Sequence, residues 1–151
     1  MMALAVLAPV PEEHLLSALD ILNREGRVAF GSTSWELFEA LDSSLAGADC
    51  EVLIYASDAS RPLTPPSATW TARYLGSSRA VSGAHKDGMK YRPMSTSKYP
   101  ADNKGHWVVF WEVANLVRLE TPIVISKVQG YEKPKKYLAN FIPHGPLLIE
   151  H

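Results

Sequence analysis

The sequence predicts an α+β domain, a small curved sheet or pseudo-barrel of about five to six short strands with flanking helices. Two stretches near the N-terminus repeat apolar residues at helical spacing, and from Glu51 onward the pattern changes to period two. The short strand candidates follow that change. At 151 residues, 46% hydrophobic and 21% charged, the chain suits one domain with a core of its own. Residues 1–151 are therefore read as a single domain, with 1–26 as an N-terminal helical extension packed on it.

The first helix is expected over 12–25, where Leu15, Ala18, Leu19 and Leu22 form a stripe flanked by Leu16 and Ile21. Glu12 and Glu13 suit the positive N-terminal end, and Gly26 provides a left-handed stop. Residues 27–30 form a short apolar piece that reads as a strand. The turn Gly31-Ser32-Thr33-Ser34 then introduces a second helix from Trp35 to about Leu45, with Thr33 and Glu36 at capping-box spacing. Strands are expected at 51–57 and at 68–76, where Ala68, Trp70, Ala72 and Tyr74 share one side. The prolines of 61–66 exclude a central strand there. Residues 106–114 place Trp107, Val109, Trp111 and Val113 on one face, with Val108 and Phe110 opposite, so this strand is expected to be covered on both sides. Residues 123–125 and 147–149 complete the set, and Pro143-His144-Gly145-Pro146 reads as a rigid turn before the last strand.

Composition narrows the function. The lone cysteine, Cys50, excludes a disulfide framework and a multi-cysteine zinc site, and its apolar neighbours mark it as a buried thiol. His14, His85, His106, His144 and His151 have no metal-ligand spacing, so neither metal nor cofactor is expected. No apolar run reaches the roughly 20 residues of a membrane span, and the expected location is the cytoplasm. The formal net charge of −1 hides a division. Residues 1–75 hold four basic and ten acidic side chains, whereas residues 76–151 hold eleven basic and six acidic ones. A chain divided this way can present a basic face to a polyanion.

The run His106-Trp107-Val108-Val109-Phe110-Trp111-Glu112-Val113, leading into Val117-Arg118-Leu119-Glu120-Thr121-Pro122-Ile123-Val124-Ile125-Ser126, resembles the late strands of PUA-like domains. The EVE, YTH and ASCH branches are the nearest in pattern. Val52-Leu53-Ile54-Tyr55-Ala56-Ser57 followed by Trp70-Thr71-Ala72-Arg73-Tyr74-Leu75-Gly76 looks like an earlier strand pair of the same fold. The resemblance spans about 27–150. It implies a pseudo-barrel holding nucleic acid, often one modified or flipped-out base, in a cleft near its rim. In the ASCH branch it also implies hydrolysis of RNA or of a modified nucleoside.

Candidate site residues follow from chemistry. The long connection 77–105 carries Lys86, Lys90, Arg92, Lys98 and Lys104 with Tyr91 and Tyr99 between them, phosphate-binding cations interleaved with stacking rings. Ser32 and Ser34 in the turn before the second helix are expected to hydrogen-bond a base edge or phosphate, and Trp35 and Tyr91 to stack. Residues 131–137 form a second basic-aromatic patch. For a hydrolase the nominal catalytic groups are His85, Lys86 and Glu112. Three readings stay open: a nucleic-acid reader with RNA or DNA as partner, an ASCH-like hydrolase, and a protein-interaction or dimerisation module forming a homo-oligomer through its basic loop.

Overall fold

In the computed structural model, which describes residues 2–133 and 136–151, the apolar opening of the chain is itself a strand, β1 (Leu4–Pro11). Val6, Ala8 and Val10 enter one buried cluster while Ala5 and Leu7 enter another. Covered on both faces, the strand is apolar throughout and lacks the alternation that reveals a half-buried one. Its Pro9 and Pro11 are tolerated because the neighbour on one side, β7 (Leu147–Glu150), pairs only from Leu4 to Leu7. Within the expected helical extension 1–26, residues 4–11 are therefore a strand of the sheet, and the helix is confined to 12–25.

After β1 come α1 (Glu12–Glu25), β2 (Val28–Ser32), α2 (Trp35–Leu45), β3 (Cys50–Ser57), β4 (Ser67–Arg79) and β5 (Val109–Val124). A two-residue β6 (Gln129–Gly130) precedes β7. The strands form a seven-stranded sheet in the order β2-β5-β4-β3-β1-β7-β6, with β1 and β3 parallel and the other pairs antiparallel. The architecture is α+β as expected, but with seven strands rather than five to six, and it is open rather than a closed pseudo-barrel. α1 packs on β1, β2, β3 and β5, and β1 and β2 stand four places apart in the order, a span of about 19 Å that this 14-residue helix, about 21 Å long, can reach across.

The helices cover one face of the sheet. Phe38 of α2 stacks on Tyr74 and Trp111, with ring centroids 6.0 and 5.8 Å apart. α1 buries His14, Leu15, Ala18 and Ile21, so its buried stripe is rotated from the expected one and leaves Leu16 and Leu19 exposed. That rotation brings His14 inward. Gly26 ends α1 at φ +80°, as anticipated. The capping box of α2 does not form: Ser34 is the N-cap without a side-chain cap bond, and its N–H donates to Ser32 Oγ at 3.0 Å.

On the other face, Ala5, Leu7, Leu53, Ala68, Ile125, Val128 and Ile149 pack together, and Ala29, Tyr91 and Phe110 form a smaller cluster. A register shift between Ala68 and Trp70 sends those two side chains to opposite faces, against the simple alternation. The strands expected at 106–114 and 123–125 are one long strand, β5, starting at Val109. Trp107 consequently lies ahead of the ladder, outside its apolar face. Cys50 is buried, and burial pushes its thiol up to about 11.

Candidate functional site

The connection between β4 and β5 is built as structure. Two 3-10 turns, Met94–Lys98 and Pro100–Asp102, shape it, and the Tyr91 carbonyl accepts the Ala29 N–H at 2.7 Å along the outer side of β2. Arg92 fastens it. This guanidinium is 2% exposed and donates to Ala29 O at 2.8 Å, Asp102 O at 2.9 Å and Asn103 Oδ1 at 2.9 Å. Burial lowers its pKa to about 10. Asn103 in turn donates to Thr96 Oγ1 at 3.0 Å.

This fastening presents residues 99–107 to the N-terminal turn of α1 and the end of β3. Between them opens a cleft of about 410 Å³ lined by Pro11, Glu13, His14, Asp58, Tyr99, Ala101, Asp102, His106 and Trp107. Asp102 is its centre: Oδ1 accepts Trp107 Nε1–H at 3.2 Å, and Oδ2 lies 3.4 Å from His14 Nε2. With Nε2–H turned to Asp102, His14 Nδ1 accepts the Ser95 hydroxyl at 2.6 Å. Burial lowers the His14 pKa against the attraction of Asp102, so the ring is neutral at pH 7.

The aromatic wall is equally determined. Gly31 of β2 has no side chain, and a Cβ there would stand 2.4 Å from Trp107 Cδ1. The indole fills that space. Tyr99 is 48% exposed and meets the His14 ring edge-on at 5.7 Å, while the His106 ring lies 4.3 Å from that of Trp107. Asp58 follows β3 at φ +53°, a left-handed conformation that Asp and Asn tolerate better than most residues. Glu13 pairs with Lys98 at 3.1 Å, which holds its carboxyl below the usual range.

The expected site residues are distributed differently. Lys98 stands at this cleft through Glu13, and the exposed Lys104 lies between Asp102 and His106 in sequence. Arg92 is an internal fastener and unavailable to phosphate. Tyr91 is 8% exposed, packed among Ala29 and Phe110 beneath Arg27 and Lys90, so it offers no stacking face. Ser32 is buried with its hydroxyl spent on the Ser34 N–H. Trp35 lies elsewhere, with the Arg79 guanidinium 4.2 Å above its ring and the acidic Glu39 and Asp42 beside it. Ser34, on the turn before Trp35, is likewise outside the cleft lining. Lys86 is exposed and lines a separate shallow cavity with Arg27, Ser77, Ser78 and Glu112.

His85 cannot serve as an accessible acid or base, because its side chain is fully buried. Its Nδ1 accepts the Asp87 N–H at 3.0 Å, leaving Nε2–H to donate to Glu112 Oε2 at 3.1 Å. Glu112 is occupied by that bond and by Arg27 at 3.3 Å, and the His85 bond holds its carboxyl below the usual range. These two are structural partners. Of the patch 131–137, Pro134 and Lys135 lie outside the described residues.

Sequence reasoning missed the cleft because its parts come from three distant segments. One signal was available: His14 sits four residues before Ala18 and seven before Ile21, on the face that is buried. Among the described residues no group of three or more His, Cys, Asp or Glu is placed to hold a metal ion, and no helix is long and apolar enough to cross a membrane. The chain matches no protein-family model, no curated protein sequence and no solved structure.

Proposed function

We propose that this protein reads a nucleobase of nucleic acid, and that the base enters the cleft of His14, Tyr99, Asp102 and Trp107. The observation that carries the reading is the meeting of an exposed aromatic surface and carboxylate acceptors in a cavity of about 410 Å³, a volume in the range of small-ligand pockets. Stacking on such rings contributes about 1–3 kcal/mol per base. Asp102 keeps 17% of its side chain open to the cleft, and a carboxylate there accepts from the exocyclic amino group of cytosine, adenine or guanine. Lys98, held beside the cleft by Glu13, suits a flanking phosphate.

The reading predicts that cytidine, adenosine or guanosine quenches tryptophan fluorescence saturably, that uridine binds at least tenfold more weakly, and that Trp107→Ala removes binding. Short single strands carrying the preferred base should bind more tightly, with affinity falling steeply as salt rises. Absence of binding to every nucleoside and strand overturns it.

A hydrolytic reading has one observation in its favour, the line of Ser95 Oγ, the His14 ring and the Asp102 carboxylate. Ser95 is not among the residues lining the cleft, so the hydroxyl orients the back of the ring and the Asp102 side meets the ligand. Mass spectrometry of the bound nucleosides decides it: turnover lost in His14→Gln supports hydrolysis, and intact nucleosides support reading alone.

A further inference from the structure

We infer that the cleft selects a nucleobase carrying a fixed positive charge, a ring-alkylated base, over the neutral bases of unmodified nucleic acid. This rests on the base-reading proposal above and adds the charge of the ligand to it.

Among the described residues, three carboxylates line the cavity, Glu13, Asp58 and Asp102, and no Lys or Arg does. Lys98, just outside, neutralises Glu13 alone. The His14 ring supplies no compensating charge at pH 7, since burial disfavours its cation. Asp58 makes no ion pair with the described residues and lines the cleft just after the end of β3. The aromatic groups reinforce the same preference, because the face of an indole or phenol ring carries negative potential and attracts a cation. The resulting lining is aromatic and negative.

A protonated amine would meet the carboxylates but would forgo much of its hydration. A delocalised ring cation is weakly hydrated and presents an apolar face to Trp107 and Tyr99, so it gains from both features. The cleft interior also repels phosphate, which leaves the backbone of the ligand to Lys98 outside. That division, negative within and a cation beside it, complements a cationic base on an anionic strand. It does not complement a methylated lysine in a basic peptide, which Lys98 would repel.

The test compares methyl-positional isomers that differ in charge at pH 7. At pH 7, 1-methyladenosine is a cation and N6-methyladenosine is neutral, and 7-methylguanosine 5′-monophosphate pairs in the same way with its N2-methyl isomer. Calorimetric titration is expected to give at least tenfold tighter binding for the cationic member of each pair. The double variant Glu13→Gln, Asp58→Asn keeps the shape of the cleft and the turn at Asp58, and is expected to reduce that ratio to below threefold. Equal affinity within each pair overturns the inference and leaves the base-reading proposal standing. Failure of every nucleoside, charged or neutral, overturns the base reading itself. Tighter binding of a trimethyl-lysine peptide than of either cationic nucleoside overturns both.

Discussion

Gly31 carries no side chain where the Trp107 indole needs the space, and that absence orients one wall of the cleft. The substitution Gly31→Ala therefore acts on the ligand site from inside the sheet. A Cβ 2.4 Å from Cδ1 is well inside contact distance, so the indole swings away while β2 keeps its pairing with β5. Nucleoside affinity is expected to fall at least tenfold with the far-ultraviolet circular dichroism unchanged. Retained affinity would show that Trp107 does not form the binding wall. Neither partner of this pair announced itself in the sequence. Gly31 read as a turn glycine and Trp107 as a strand residue, because their contact spans 76 positions along the chain.

Among the elements, the connection between β4 and β5 governs the site, and Arg92 governs the connection. Truncating the guanidinium leaves Ala29 O, Asp102 O and Asn103 Oδ1 without their donor inside the protein. Arg92→Met keeps most of the stem volume and should cost about 3 kcal/mol, the scale of several buried polar groups left unpaired. For a domain of this size that lowers Tm by roughly 10 °C in thermal denaturation. A change below 2 °C would remove Arg92 from this role. The connection was legible in the sequence as an unusually long and basic segment. Its individual roles were not, because a buried arginine and a phosphate-binding one look alike in a row of cations. α1 and α2 were legible from their apolar period. β1 was not, since burial on both faces erases the alternation.

For the whole molecule, the division of charge along the chain partly closes on itself. Arg79 meets Glu39 at 3.5 Å and Lys98 meets Glu13 at 3.1 Å, each joining the basic later half to the acidic earlier half. Exposed pairs of this kind add little stability, but they set two of the later cations against acidic side chains of the earlier half. Stability should instead respond to pH through His14. Its folded pKa lies below the ordinary 6.5 because of burial, so as pH falls the unfolded chain takes up this proton first. The free energy of unfolding is then at its full value above about 6.5 and declines below it. Glu112, held below the usual 4.5 by His85, adds a second decline at lower pH. Denaturant titrations should find His14→Gln insensitive between pH 7 and 5.5, where the parent loses stability; an identical profile in both would exclude His14 as the source.

The hydrogen bond from the Ala29 N–H to the Tyr91 carbonyl has a consequence beyond the site. β2 is one edge of the sheet, and the other edge, β6, is only two residues long. A bare β2 would offer its unpaired amides and carbonyls to any extended chain nearby, including another copy of itself. The Tyr91 backbone and the Arg92 guanidinium occupy Ala29 on both its amide and its carbonyl. One segment thus shapes the cleft and also closes the edge through which the protein would aggregate, so mutations that reshape the cleft through this segment put solubility at stake.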